Sequence, residues 1–166
     1  CADELPEDRP RHMLGISEPE DVFAAVASGA DMFDCVNPSR VARNAAVYTL
    51  DGRYNIDAAR YRRQFTPIDP DCDCYTCAHY TQAYLHHLFK AREMVASTLC
   101  TIHNERFVVR LVDDIRLIQA FPPQLRWFVV DPDDAEFLHE EATKVFDTPL
   151  RPEAHRAQFL SRCFER

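Results

Sequence analysis

The chain has 166 residues, 46% of them hydrophobic, and its 27 acidic side chains outnumber 19 basic ones for a net charge of −8. This length and composition indicate one folded globular domain and exclude a disordered chain. No apolar run approaches the roughly 18 residues that a membrane span needs, so we expect no membrane partner. The start, CADELPEDRP, has no signal-sequence features and no Met, and we expect a processed, cut or partial chain.

The N-terminal part of the chain is predicted to form a β-α-β unit. Residues 10–16 have the pattern of a short buried strand, and residues 30–36 that of a second one. Between them, Ser17 and Glu20 have the spacing of a helix-capping box, and Gly29 is a natural helix end. A strand, a helix and a second strand in this order imply parallel strands.

The next segment is predicted to form a β-hairpin followed by a loop. Residues 44–57 contain two β-prone runs around Asp51-Gly52, a favoured turn sequence. Residues 66–77 are rich in proline and cysteine and are predicted to be a loop.

The remaining segments have helical patterns. Apolar residues recur at helical spacing from about Thr81 to Leu99, and Asn104 is predicted to cap a further helix with a long apolar stripe. Weaker patterns predict two more helices at residues 133–146 and 153–164.

Charge is unevenly distributed along the sequence. Residues 1–21 carry a net charge of −5, whereas residues 39–66 contain six arginines and two aspartates, for +4. A local basic stretch in an acidic chain indicates a defined anionic partner rather than promiscuous phosphate binding.

Three of the seven cysteines, Cys72, Cys74 and Cys77, fall within six positions. The odd total and the lack of a signal sequence disfavour a secreted disulfide framework and indicate a reducing, cytoplasmic setting. Three thiolates and one imidazole fill a tetrahedral structural zinc site, and His103, after 25 intervening residues, is the favoured fourth ligand. The alternatives are His79, His86 and His87, and three free thiols are the less favoured interpretation of the cluster.

A carboxylate and two guanidinium groups follow each other at the end of the second predicted strand. Strand alternation puts Asp34 on one face with Met32 and Val36, near the strand end where catalytic groups of parallel α/β folds gather. There it could attack an anomeric carbon, and capping the next loop is an equally good interpretation. Arg40 and Arg43, in the predicted basic loop, suit phosphates and base edges, although a solvated surface explains them as well.

Four stretches, in order, are GADMFDCVNPSRVARN, CDCYTC, AYLHHLF and TIHN. Together they resemble the C-terminal part of the bacterial-type queuine tRNA-ribosyltransferase family, also called tRNA-guanine transglycosylases, from about Leu5 to Ile118. The resemblance implies an α/β fold, the C-terminal part of a (β/α)8 TIM-type barrel with an inserted zinc-binding subdomain. It also implies a pentosyltransferase that exchanges the wobble guanine of tRNAs with GUN anticodons for a 7-deazaguanine, preQ1 or queuine, in queuosine biosynthesis.

The resemblance assigns roles to individual residues. Asp34, in the FDC motif, falls on the nucleophile, and Leu14 and Gly15 fall on the strand end that lines the base pocket. The ligands of one structural Zn²⁺ per chain fall on Cys72, Cys74, Cys77 and His103. The contacts to the tRNA anticodon loop fall on Gly15, Ile16, Ser17, Glu18, Pro19, Glu20, Asp21, Ser39, Arg40, Val41, Ala42 and Arg43. A homodimer is implied for the full-length protein.

Some positions depart from the family pattern. Leu14 stands where the family commonly has Met, Gly15-Ile16-Ser17 replaces a GVG-type turn, and Glu18 replaces a residue that is often basic. These departures bring the RNA contacts of the 15–21 turn into question.

The length also departs from the family. A complete barrel takes about 250 residues, so we expect a C-terminal piece that lacks the general acid/base of the family. The expected divisions are the last barrel strands with the nucleophile at 1–43, the zinc subdomain and final barrel helix at 44–118, and a C-terminal helical tail at 119–166. Alternatives to the enzyme are a non-catalytic, zinc-stabilised tRNA-binding or subunit-interface module and a DNA-acting deazaguanine transglycosylase.

Overall fold

The computed structural model describes residues 4–6, 8–15 and 18–120, which form a mixed α/β structure. Its elements are β1 (His12–Leu14), α1 (Pro19–Ala27), β2 (Met32–Asp34), α2 (Asn37–Arg43), β3 (Ala46–Thr49), β4 (Gly52–Asn55), a 3-10 helix (Ala59–Arg63), α3 (Tyr75–His79), α4 (Gln82–Lys90) and α5 (Met94–Ala120). The strands form two two-stranded sheets, β1–β2 and β3–β4, so a closed barrel is not visible in the described part of the chain.

The predicted β-α-β order is confirmed, but the prediction of a buried first strand was wrong, since all three residues of β1 are exposed. Strands β1 and β2 pair in parallel, with Leu14 opposite Asp34. The helix between them begins one residue later than predicted: Glu18, not Ser17, is the N-cap of α1. The Asp21 carboxylate accepts the backbone N–H of Glu18 at 3.2 Å, which is the reciprocal bond of a capping box shifted by one residue.

The predicted basic loop after β2 is helical, so that expectation was wrong. Helix α2 starts at Asn37, with Pro38 in its first turn, where a missing backbone N–H costs little. Asn37-Pro38 bounds the strand predicted at 30–36, but a proline also favours the start of a helix. The hairpin prediction is confirmed, with β3 and β4 antiparallel and Thr49 opposite Gly52.

The single helix predicted over residues 81–99 is two helices. After α4 ends, the N–H of Arg92 bonds to the carbonyl of Phe89 at 3.1 Å and that of Glu93 to Leu88 at 3.0 Å. These two bonds form a Schellman motif, and Arg92 takes the left-handed conformation (φ 60°) that glycine usually occupies there. Helix α5 then runs continuously through Asn104, which is therefore no N-cap.

The hairpin, α4 and the first half of α5 share one hydrophobic core. Its buried members include Val47 and Ile56 from the hairpin region, Leu85 from α4 and Leu99 from α5. Burial of such side chains contributes about 1.5–3 kcal/mol each, and it fixes the face that α5 turns toward the hairpin. That face also carries the fully buried His103 and Asn104.

The chain divides into two compact units, residues 1–112 and 113–166, and the described part of the second is the end of α5. The helices predicted at 133–146 and 153–164 lie outside the described residues. Among the residues that are described, none of the helices is long and apolar enough to cross a membrane.

Candidate metal centre and catalytic strand

Cys72, Cys74, Cys77 and His103 converge on one point, as predicted. Their ligand atoms all lie within 4.8 Å of one another, and His103 Nδ1 is 3.3 Å from Cys77 Sγ and 3.7 Å from Cys74 Sγ. A tetrahedral ion with Zn–S bonds of about 2.3 Å separates its ligand atoms by roughly 3.5–3.8 Å. The spacing of these four side chains therefore fits one tetrahedral metal ion.

Local structure explains how one short segment supplies three thiols. Cys74 is the N-cap of α3, and its Sγ accepts the backbone N–H of Cys77 at 3.3 Å. The Thr76 hydroxyl donates to the Leu99 carbonyl at 2.6 Å, which joins α3 to α5 beneath the cysteines. The cysteines thus surround one side of the cluster, and α5 supplies His103 from the other.

His103 reaches the cluster from within α5, whereas the sequence prediction placed it just before a helix. Its Nε2 lies 2.8 Å from the Tyr48 carbonyl oxygen and donates to it, which leaves Nδ1 free to face the thiols. A hydrogen bond of this kind fixes the tautomer and ring orientation of a metal-binding histidine. The three alternative histidines, His79, His86 and His87, are not in the cluster.

The electrostatics of the three thiols favour a bound cation. Hydrogen bonds from Cys72 and then Cys77 lower the pKa of the Cys74 thiol to about 3. The same crowding, through Cys72 first and then Cys74, raises the pKa of Cys77 well above its usual range. A bound cation would offset the repulsion between three thiolates packed this closely.

An ion pair joins the cysteine segment to α5 on the outside of the cluster. Arg106 donates from Nε and Nη2 to the two carboxylate oxygens of Asp73, each at 2.7 Å. The hydrogen bonds and charge of Arg106 lower the pKa of Asp73 to about 2. Asp73 stands between two of the cysteines and Arg106 lies one helical turn after His103, so this bidentate pair joins the two sides of the site.

Asp34 lies at the carboxyl end of β2 with its side chain 65% exposed. Leu14, which is 73% exposed, is the neighbour of Asp34 across the parallel pair. The Asp34 carbonyl accepts the Gly15 N–H at 2.9 Å. His12 Nε2 lies 3.3 Å from Asp34 Oδ1. The sequence prediction omitted His12, although strand alternation alone puts it on the same face of β1 as Leu14.

Helix α2 presents its two predicted arginines to solvent. Arg40 and Arg43 are exposed, and their spacing of three places them on the same side of the last turn. Ser39, also predicted to contact RNA, donates its hydroxyl to the Val36 carbonyl at 3.0 Å. Val41 and Ala42, predicted with them, are buried in the core.

Glu18, the N-cap of α1, contacts β4 and α2 through its side chain. Its carboxylate accepts from Arg53 at 2.7 Å and from Asn37 at 3.3 Å. Of the other residues predicted here, Pro19 is buried and Glu20 and Asp21 are exposed. Ile16 and Ser17 lie outside the described residues.

A parallel strand pair ending on a carboxylate, together with a buried Cys3His cluster, defines an α/β protein with a candidate metal centre. The profile of the family described as queuine tRNA-ribosyltransferase matches residues 1–118. The chain belongs to the queuine tRNA-ribosyltransferase family.

Curated relatives agree with this assignment. A queuine tRNA-ribosyltransferase of Thermoanaerobacter pseudethanolicus is 49% identical over 112 residues, which is 68% of this chain and 30% of that protein. One from Lactococcus lactis subsp. cremoris is 52% identical over 112 residues, covering 68% and 29%. One from Symbiobacterium thermophilum is 49% identical over 116 residues, covering 70% and 29%. The chain therefore spans about 30% of the length of the relatives it matches.

Proposed function

We propose that the protein carrying this chain is a tRNA-guanine transglycosylase, which exchanges the wobble guanine of tRNAs with GUN anticodons for preQ1 or queuine in queuosine biosynthesis. Membership of a family named for queuine tRNA-ribosyltransferases supports this class of activity. In this chain the proposal is carried by the Asp34 carboxylate, which stands exposed at the carboxyl end of a parallel strand. Catalytic side chains of parallel α/β folds gather at that end of the strands.

In the proposed reaction Asp34 is the nucleophile. A carboxylate oxygen bonds to C1′ of the wobble ribose while the C1′–N9 bond breaks, and its electron pair leaves with guanine, which takes up a proton. The incoming 7-deazaguanine then loses a proton from N9 and attacks C1′, and the bond to Asp34 breaks. Two displacements retain the configuration at C1′ and free the carboxylate. The proton-transferring group is expected outside this chain.

The neighbours of Asp34 suit the bases and RNA that such an enzyme holds. Leu14, exposed beside Asp34, offers an apolar surface to a planar base. Gly15 has φ +72°, a conformation that other residues adopt at a cost, and within the described part of the chain no heavy atom lies within 4 Å of the position that a Cβ would take there. Arg40 and Arg43 are placed on α2, which begins just after β2, and their charge suits anticodon-loop phosphates and base edges.

The Cys3His cluster is proposed to hold one structural Zn²⁺ per chain. Four protein ligands leave no open coordination position, and thiolate and imidazole donors suit zinc. Bound zinc would supply a crosslink rather than reaction chemistry. The residues of this chain would then hold the cysteine segment, the hairpin and α5 together.

Three wider features of the protein are also proposals. The parallel pair β1–β2, with α1 between its strands, is proposed to be part of a (β/α)8 barrel in a cytoplasmic enzyme.

A homodimer is supported by a cluster of aromatic side chains in mutual contact, because exposed aromatic side chains are typical of protein interfaces. The cluster consists of Tyr75, His79, Tyr80 and Tyr84.

The experiment is exchange of radiolabelled guanine into a GUN-anticodon tRNA by the whole natural polypeptide that carries this chain. We expect label in tRNA and a covalent protein–tRNA complex on denaturing gels. Asp34→Asn should abolish both, a loss of at least about a thousandfold, because an amide is a far poorer nucleophile. Asp31→Asn is the matched control, since Asp31 is an exposed carboxylate that accepts the Arg11 N–H just before β2.

The outcomes separate the alternatives. A metal-loaded protein without exchange would contradict the enzyme and favour a non-catalytic module. Exchange into DNA but not tRNA would identify a DNA-acting relative. A covalent complex that survives in Asp34→Asn would remove Asp34 as the nucleophile.

A further inference from the structure

The His12 side chain lies next to Asp34, the proposed nucleophile. His12 Nε2 is 3.3 Å from Asp34 Oδ1, and the two side chains are 42% and 65% exposed. The strand register explains this contact: Leu14 is the partner of Asp34, and His12, two residues earlier, is on the same face of β1. His12 therefore reaches Asp34 diagonally across the parallel pair.

The backbone of Asp34 is already fixed at this point. Its carbonyl accepts the Gly15 N–H at 2.9 Å, and its Cα lies in register with Leu14. The side chain still has two free torsions, and packing restrains them little because the carboxylate is exposed. A hydrogen bond to one carboxylate oxygen is the contact that selects a single orientation.

We propose that His12 is a positioning residue for Asp34. Its Nε2–H donates to Oδ1 and thereby leaves Oδ2 to attack C1′. This inference rests on the proposed role of Asp34 as the nucleophile. When Oδ2 bonds to C1′, Oδ1 becomes the carbonyl oxygen of the ester and stays beside His12.

The same hydrogen bond acts in the second half of the reaction. As the bond between Oδ2 and C1′ breaks, negative charge returns to both carboxylate oxygens, and the donor at Oδ1 is already in place to stabilise it. Donors placed in advance where charge develops need no reorganisation during the reaction. Loss of orientation alone can cost about a hundredfold in rate.

The first test measures guanine exchange by the whole polypeptide carrying His12→Ala. We expect kcat to fall by about 10–100-fold with little change in KM for tRNA, because the lost contact orients the nucleophile and does not bind RNA. His12→Gln, whose side-chain amide can also donate, should recover at least part of that loss. His87→Ala, at an exposed histidine on α4, is the matched control and should leave kcat unchanged.

The second test needs no activity and uses ¹⁵N-histidine NMR of the whole polypeptide that carries this chain. We expect His12 in the Nε2–H tautomer, and Asp34→Asn should shift its ring resonances and leave those of His87 in place. If the His12 resonances do not shift in Asp34→Asn, the contact between the two side chains is contradicted. This test does not depend on whether His12→Ala folds.

The two proposals fail in different ways. A wild-type protein with no exchange contradicts the proposed function. Exchange at the wild-type rate by His12→Ala contradicts only the positioning role. A His12→Gln variant that is as slow as His12→Ala shows that hydrogen-bond donation is not what the residue contributes.

Discussion

The metal centre and the β1–β2 strand pair are built in opposite ways. In the metal centre His103 is fully buried, Cys72 and Cys74 nearly so, and backbone, core and ion-pair contacts hold the ligands in place. At the strand pair Asp34 and Leu14 are both mostly exposed, and His12 Nε2 lies 3.3 Å from the carboxylate that we propose it orients. Burial therefore stabilises the metal centre, whereas the exposed strand pair is accessible to a substrate.

The largest expected effect comes from Cys74→Ala. Structural zinc contributes about 10–16 kcal/mol of apparent binding energy, much of it to folding, so removing one ligand should abolish stoichiometric metal and soluble folding. Atomic absorption of the purified chain measures the metal. Cys35→Ser, which keeps an acceptor for the Asn37 N–H, is the control. One metal ion per chain in Cys74→Ala would contradict the ligand assignment.

Asn104→Ala tests how much the buried Asn104 amide stabilises the contact of α5 with the backbone of α2 and β3. The amide accepts the Tyr48 N–H at 3.0 Å and donates to the carbonyls of Pro38 and Ala46 at 3.1 and 3.0 Å. Leaving these groups unpaired should lower the free energy of unfolding by about 3 kcal/mol or more, measured by urea denaturation. Asn44→Ala, which loses one exposed bond, should cost much less. If Asn104→Ala and Asn44→Ala lower the free energy of unfolding equally, the buried amide does not stabilise α5 more than an exposed one.

A smaller effect is expected for Arg106→Ala. The Asp73–Arg106 pair is bidentate, and each partner is between a third and two-fifths exposed, so its loss should cost about 1 kcal/mol. Metal should remain bound but leave several-fold faster when a chelator is added. Arg106→Lys, which keeps the charge without the paired donors, should fall between wild type and Arg106→Ala. An unchanged release rate would mean that the pair does not retain the cysteine segment.

The smallest effect on stability is expected at the strand pair. Leu14→Ala should change the free energy of unfolding by less than about 0.5 kcal/mol, because Leu14 is 73% exposed. Leu99→Ala, in the core behind the metal centre, should cost about 2–5 kcal/mol. The KM for the base should nevertheless rise in Leu14→Ala. A stability loss near that of Leu99→Ala would contradict the open character of the strand pair.

The sequence was most informative where chemistry needs a short, fixed spacing. The cysteine pattern and the histidine that follows it after 25 intervening residues predicted the cluster, and two short apolar runs around a helix predicted the parallel pair. The Asp51-Gly52 pair likewise predicted the hairpin, because two residues suffice to specify such a turn. The loop is one residue earlier than predicted, at 50–51, and Gly52 begins β4.

The errors arose where tertiary contacts override local preference. Arg92 ends α4 in a conformation typical of glycine, so no sequence signal separated α4 from α5. Asn104 resembles a cap, but its amide is used by backbone groups more than forty positions away in the sequence. The Asn37-Pro38 pair suited both a strand end and a helix start, and the sequence alone did not distinguish them.

Tyr48 links two neighbouring residues of α5 to the hairpin through its own peptide groups. Its carbonyl accepts from His103, a proposed metal ligand, and its N–H donates to Asn104 Oδ1. We therefore expect the Tyr48 amide proton to respond to metal occupancy. Its hydrogen-exchange rate should rise when the metal is removed, before α4 loosens, and it would report the state of the metal centre without any label on a ligand.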